Sequence, residues 1–555
     1  MDAAIALGLA AAGAAGAALP AARRRLMLSR AKHPSLAGHS RMARRLARLL
    51  PAYALRGEAF YASDGADAAL AQRRREGLAR LAADLRARSP RGIALTDEAR
   101  EGLSDLRFTS RYRVPFQYTD ELATVLPGSA FVTRTDGAWV TDVDGNRLLD
   151  VSGSYGVNLL GHESYKRCIA RAQETAGDLG TLLGSYHPCV LDNVRRLREI
   201  SGLDEVSFHM SGTEAVMQAV RLARYHTGRS HLVRFCGAYH GWWDDVQPGP
   251  GTPVSPSHTY TLRDMDERTL RVLRSRRDIA CVLVNPLQAM HPNRPAPGDS
   301  SLVDGSRQAG FDRDAYARWL RALRDVCTER GIVLIMDEVF LGFRLAPRGA
   351  QAYFGVQADL VTYGKTLGGG LPVGVLCGRA DLMKRYREDR PADLCFARGT
   401  FNSHPLVMAA MNAWLEEWSS PAVQALYEGL DARWGERQRM LDTRLEEAGV
   451  PLRVTGLSTV WTVLYTQPSR YHWMFQFYLR DQGLSLSWVG SGRLIFSLDI
   501  DDTLFEAVCT RFVQAALRMR ADGWWDGPAR STREIRGRVL REMLRRMFGR
   551  PPAVA

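Results

Sequence analysis

The sequence predicts an α/β fold, on three observations. From about residue 130 onward, strand, loop and helix patterns alternate. Continuous apolar runs at Ile279–Val284, 331–336 and 360–361 read as strands buried on both faces, the habit of a parallel sheet. Val206, Phe208 and Met210 alternate as a strand that leads through Ser211 into a helix. That helix carries Val216, Val220 and Ala223 on one face and stops at Gly228.

Composition sets the outer bounds. The 555 residues are 46% hydrophobic and 24% charged, which excludes a wholly disordered, collagen-like or multi-spanning membrane chain. The length accommodates two or three packed domains. Eight cysteines are scattered without any C-x-x-C, so neither a disulfide scaffold nor a zinc site is indicated, and reduced thiols in a cytoplasm are expected. The net charge of +14 is uneven: residues 1–114 hold 21 Lys and Arg against 10 Asp and Glu, and residues 529–555 hold 8 against 2. A nearly neutral core is therefore flanked by basic arms. These are expected to attract an anionic membrane surface or an acidic carrier protein, with no nucleic acid expected.

The arms read as helical extensions. Residues 3–22 are uncharged, but mostly Ala and Gly, and their arginines follow rather than precede them. They have the length of a membrane anchor without its hydrophobicity, and a flexible Ala-rich leader fits as well. Met42, Leu46, Leu49 and Leu50 share one face of a basic helix, and residues 69–88 form another. At the other end, Ile535, Val539, Leu540, Met543, Leu544, Met547 and Phe548 keep helical spacing behind a capping box at Ser531 and Glu534. That stripe is expected to pack on its own protein. Residues 523–528 read as the linker leading to it.

Three short segments carry chemistry. In Ser211-Gly212-Thr213, N–H groups at a helix start, with hydroxyls on either side, make a phosphate cup, although Ser and Thr are equally ordinary N-caps. Asp337 ends a strand buried on both faces, where a carboxylate needs a basic side chain or a protonated ligand nitrogen opposite it. Lys365 follows another strand in a glycine-rich turn. The chain has four lysines against 70 arginines, so a lysine here points to deprotonation, which arginine cannot undergo. A phosphate cup, a buried acid and a nucleophilic lysine together form the protein side of a pyridoxal phosphate site. No metal-ligand set is read.

On these segments and on the stretches "GAWVTDVDGNRLLDVSGSYGVNLLGH", "MSGTEAVMQAVRLARYHTGR", "FCGAYHGWWDD", "IMDEVFLGFR", "DLVTYGKTLGGGLPVG" and "ARGTFNSHP", residues 115–520 resemble the class III, fold type I, pyridoxal-phosphate-dependent aminotransferases. Within that group they are similar in pattern to glutamate-1-semialdehyde aminomutases. The resemblance implies a large, mixed but mostly parallel sheet domain (161–398) after an N-terminal segment (115–160), and a smaller C-terminal α+β domain (399–528). The helical extensions are 1–114 and 529–555. It implies pyridoxal 5′-phosphate bound to Lys365 as a Schiff base, with Lys365 then moving the substrate proton. Asp337 would pair with the ring nitrogen, Val339 and Tyr239 would flank the ring, and Gln288 would reach its 3′-oxygen. Ser211, Gly212 and Thr213 would hold the phosphate, and Thr400 would reach the phosphate of the neighbouring subunit in a homodimer. Tyr155 would face the substrate.

The implied activity is transfer of an amino group from an amino-acid donor to an aldehyde or ketone acceptor in biosynthesis. An aminomutase or racemase on the same scaffold, or a non-catalytic membrane- or partner-binding scaffold, are the alternatives. Two departures stand out. Asn285-Pro286 replaces a usual Glu-Pro. Leu126-Pro127-Gly128-Ser129 runs directly into Ala130-Phe131-Val132, without the arginine that holds the aminomutase substrate's carboxylate. That absence favours a hydrophobic or carrier-borne acceptor. His240 and His404 read as hydrogen-bonded structural residues, and Glu338 with Arg344 as a structural ion pair. Trp242, Trp243, Trp524 and Trp525 fit core, interface or substrate wall alike.

Overall fold

The computed structural model describes residues 20–34, 36–247, 249, 251–252, 254, 256–290, 311–487 and 493–548. Most of residues 3–22 therefore lie outside the described part. Among the described residues no helix is long and apolar enough to cross a membrane. The chain packs as two units. Of the described residues, one draws on those within 20–48, 175–290 and 312–412, the other on those within 49–174, 413–487 and 493–548.

The first unit is built on a seven-stranded sheet. Its strands are β1 (Glu205–His209), β2 (His231–Phe235), β3 (Thr259–Leu262), β4 (Ile279–Val284), β5 (Val333–Asp337), β6 (Leu360–Gly364) and β7 (Gly374–Gly378), in the order β1-β7-β6-β5-β4-β2-β3. The five strands β3, β2, β4, β5 and β6 pair in parallel, and β7 is antiparallel to both of its neighbours. Every residue of β4, β5 and β6 is buried, as continuous apolar runs require of strands covered on both faces. Helix α1 (Gly212–Thr227) lays Val216, Ala219, Val220, Leu222 and Ala223 against Leu232, Cys281, Leu283, Ile335, Leu360 and Leu376. Each large side chain buried this way contributes roughly 1.5–3 kcal/mol. The helix stops at Gly228, whose φ of 63° suits a residue without Cβ.

The second unit holds two small sheets. One is a meander of Val132–Asp136, Trp139–Asp142 and Arg147–Asp150, extended by Leu484–Ser485. The other is antiparallel and pairs Leu452–Leu457, Val460–Tyr465 and Arg493–Ile495. Helices Ala68–Arg88, Leu430–Glu447 and Asp502–Ala521 belong to this unit.

Two sequence expectations are corrected here. Residues 523–528 are no loose linker: Trp524 is fully buried, its indole donates to Tyr478 Oη at 2.8 Å, and Trp525 is buried beside it. The C-terminal helix Thr532–Met547 forms behind the expected capping box, but its apolar stripe is not packed. Ile535 is buried, whereas Leu540, Leu544, Met547 and Phe548 are exposed. The helix is instead held by Glu542, which accepts from Arg470 at 2.5 and 2.9 Å and from Tyr53 Oη at 3.1 Å.

Candidate active site

The chemistry-bearing residues of the first unit gather at one edge of the sheet. β1, β5 and β6 all end there. His209 and Gly364, the last residues of β1 and β6, are both in register with Gly374, and Asp337 is in register with Thr362. In an open α/β sheet the carboxyl ends of the strands are where ligands bind.

The β1–α1 turn is drawn tight against its neighbours. A Cβ on Gly374 would fall 1.9 Å from Ser211 O, so β7 passes there because residue 374 is glycine. A Cβ on Gly212 would stand 2.5 Å from Val339 Cγ1, and one on Gly364 would stand 3.2 Å from the same methyl. Val339 is thereby wedged between the helix start and the strand that delivers Lys365. Ser211 serves as the N-cap, its Oγ accepting from Glu214 N at 3.3 Å. The first N–H groups of a helix have no intrahelical partner, which leaves those of Gly212 and Thr213 directed outward with the positive end of the helix dipole behind them. An oxyanion fits that position.

Asp337 is buried, and three groups hold it. His240 Nδ1 lies 2.7 Å from its Oδ2, while Val339 N and Thr362 Oγ1 donate to Oδ1 at 3.1 and 3.3 Å. Burial lowers the His240 pKa below its ordinary value, although Asp337 pulls the other way. An imidazole kept neutral by burial supplies no counter-charge to the carboxyl group, so a cationic partner is still wanted there. His240 Nε2, Gln288 Oε1 and Arg234 Nε are buried with no hydrogen-bond partner among the described residues.

Lys365 is partly buried, at the first position after β6 with φ of +42°, a strained conformation for a side chain with Cβ. Desolvation lowers its amine below the usual lysine value; Asp337 opposes this and the Arg344 guanidinium reinforces it. Lys365 Nζ stands 5.8 Å from the centre of the Phe340 ring, and Arg344 lies 5.9 Å from the same ring. An amine biased towards its neutral form is a nucleophile.

The remaining expected residues are placed as follows. Tyr239 is largely exposed and follows Ala238, and its carbonyl accepts from Asn285 Nδ2 at 3.4 Å. Gln288 is buried, with Nε2 donating to Cys236 O at 3.1 Å. Thr400 is exposed, and its neighbour Gly399 lies beside the first turn of α1, where a Cβ would be 3.8 Å from Glu214 Oε2. Tyr155 belongs to the other unit, where it takes φ of +58° between Ser154 and Gly156.

Three features escaped the sequence. The Asp337 partner is His240, ninety-seven residues away in the chain; the Tyr-His-Gly triplet marked a loop but not which carboxylate it would meet. Phe340 and Thr362 carried no signal beyond lying near Asp337 and Lys365. Glu338, expected to pair with Arg344, has its carboxylate held by backbone donors. Glu338 accepts from Ala350 N at 2.7 Å and Gln351 N at 3.1 Å, because its strand-end position faces the start of the short helix Gly349–Phe354.

The chain is similar to known proteins over most of its length. The family model described as Aminotransferase class-III matches residues 123–245 and 306–516. A glutamate-1-semialdehyde 2,1-aminomutase of Nitratidesulfovibrio vulgaris (strain DP4) is 36% identical over 346 residues, covering 60% of this chain and 77% of that protein. Among solved structures, one described as a transaminase with PLP bound shares 26% identity at a TM-score of 0.61, covering 78% of this chain and 98% of the other. A β-phenylalanine aminotransferase from Variovorax paradoxus shares 25% identity at a TM-score of 0.63, with 80% and 96% covered.

Proposed function

Because the chain belongs to the class-III aminotransferases, pyridoxal-phosphate-dependent transaminases of fold type I, we propose that it moves an amino group from an amino-acid donor to an aldehyde or ketone acceptor in a biosynthetic reaction. The observation that carries this reading is the convergence of Lys365, Asp337 and the Gly212–Thr213 N–H groups on one edge of the sheet. The residues fit pyridoxal 5′-phosphate: a carboxylate whose buried neighbour is a neutral imidazole still wants a cation, and the helix start offers free donors to a phosphate.

When bound, the cofactor supplies a carbonyl that condenses with amines and a ring that takes up the electron pair released at the substrate carbon. In this reading Asp337, held in place by His240, Val339 N and Thr362, keeps the ring nitrogen protonated. Lys365 Nζ, driven towards its neutral form by burial, attaches the cofactor and takes and returns the proton at the substrate carbon. Ser211, Gly212 and Thr213 would hold the phosphate, Val339 and Tyr239 would flank the ring, and Gln288 would bond the 3′-oxygen. The exposed Thr400 reaches the phosphate held by a partner subunit, so the working form is a homodimer. The eight free thiols suit a reducing cytoplasm.

The test is a screen of amino-acid donors with aldehyde and ketone acceptors, followed by mass spectrometry. Keto acid and new amine in equal amounts are expected. Isomerised substrate without keto acid would favour an aminomutase or racemase, and no product from any pair would overturn the enzymatic reading.

A further inference from the structure

Residues 20–50 carry nine Lys and Arg and no Asp or Glu. Residues 20–31 are helical, and the chain after them is fixed to edge strand β3 of the first unit. Lys32 bridges Leu262, and Arg263 N donates to Ala31 O at 3.1 Å. The helix Ser40–Leu49 follows. Arg44 ties it down by donating to Val254 O at 3.0 Å and Thr252 O at 3.3 Å. Met42, Leu46 and Leu49 recur at i, i+4 and i+7 on the side opposite Arg44, with Leu50 just beyond the helix. These four side chains are 41–64% exposed. The stripe is therefore held outward by a helix whose other face is anchored.

The cations of the arm are similarly turned to solvent. Arg23, Leu26, Met27 and Arg30 line a cavity of about 470 Å³ with Arg268 and Arg271 of the helix Glu267–Ser275, and no carboxylate stands on its wall. Four guanidiniums around one space repel each other and draw an anion in among them. Arg24, Arg25, Arg41, Arg45 and Arg48 are exposed as well. A surface of one sign throughout suits a partner of the opposite sign throughout, which nucleic acids and anionic membranes both are. Residues 20–50 hold no Phe, Tyr or Trp on which a base could stack, and a phosphate backbone gives exposed Leu and Met nothing to bury against. An acidic protein would need carboxylates laid out to match both helices, whereas anionic lipids gather under cations wherever these stand. Only the lipid surface uses the arginines and the apolar stripe together.

We propose that residues 20–50 dock this chain on an anionic lipid surface. Met42, Leu46, Leu49 and Leu50 enter the boundary between headgroups and acyl chains, and the exposed arginines meet lipid phosphates. The arm lies on the bilayer and does not cross it, since no helix among the described residues is long and apolar enough to span. The arm lies outside the family match, and lipid binding does not rest on the function proposed above.

The experiment mixes the full-length holoenzyme with two kinds of vesicle and reads binding by flotation. One kind is phosphatidylcholine alone; the other is equal parts phosphatidylcholine and phosphatidylglycerol. Affinity for the anionic vesicles is expected to be at least about tenfold higher. Met42→Gln combined with Leu46→Gln should weaken that binding about tenfold, with the melting temperature unchanged because both side chains are exposed. Arg23→Gln combined with Arg30→Gln should cut the preference for anionic vesicles several-fold, and this pair decides should the first fail to fold. Equal binding to the two vesicles, binding to neither, or wild-type affinity in the folded variants overturns the proposal. Polyglutamate and a single-stranded oligonucleotide are the competitors. If either strips the protein from anionic vesicles at equal charge, the arm belongs to an acidic protein or a nucleic acid, and the proposal is overturned. A Lys365→Ala protein should float like the wild type, so failure of the proposed transaminase activity leaves this surface standing.

Discussion

His240 Nδ1 lies 2.7 Å from Asp337 Oδ2, with both side chains buried. The pairing sets the electrostatics of the site, because burial disfavours the charged imidazole, so His240 holds the carboxyl group without supplying a counter-charge. Asp337→Asn should therefore lower kcat by about 10²–10³, the range seen when a preorganised electrostatic group is removed. His240→Ala should cost roughly tenfold or more, as expected for losing a hydrogen bond to a charged group. Steady-state kinetics on both variants checks this, and His240→Ala should leave the cofactor attached.

The pH dependence of stability should carry the mark of Glu338. Burial pushes its carboxyl up from 4.5 to about 7, against two backbone N–H bonds that favour the charged form. The folded state thus holds a proton that the unfolded chain releases. The stabilisation is complete below pH 4.5 and is lost as pH rises to about 7, by an amount on the order of 3 kcal/mol. Melting temperatures across that interval should show a decline that flattens in Glu338→Gln.

Glycines separate cleanly by what surrounds them. Gly212→Ala puts a methyl 2.5 Å from Val339 Cγ1 and should weaken cofactor binding at least about tenfold while lowering Tm. Gly537 lies inside the C-terminal helix with open space around it, so Gly537→Ala should stabilise by about 0.5–1 kcal/mol. Cofactor titration and thermal melts measure the contrast.

The basic C-terminal arm should prove structural. Arg470 is 1% exposed, and its carboxylate partner is Glu542 on that arm. Removing residues 529–555 leaves a buried guanidinium unpaired, a loss of about 3–5 kcal/mol. Denaturant unfolding of the truncated chain should show a shifted midpoint; an unchanged midpoint would mean that the helix is an independent appendage.

Periodicity and strand-end position were enough to find the sheet, Asp337, Lys365 and the start of α1, since those signals are local. Contacts between distant segments were not legible. Nothing around Trp524 marked residues 523–528 as packed, because the Gly and Pro that suggest a linker also form a tight turn over a buried indole. The apolar stripe of the last helix looked like a core face, yet Glu542 and Arg470, far apart in sequence, do the anchoring.

Covalent attachment of the cofactor at one amine is open to direct measurement. Borohydride reduction of the holoenzyme, followed by proteolysis and peptide mass mapping, should place one cofactor-sized adduct on the peptide containing Lys365. It should leave Lys32, Lys166 and Lys384 unmodified. An adduct on any of those three, or none at all in excess pyridoxal phosphate, would contradict the assignment of this edge of the sheet as the site of reaction.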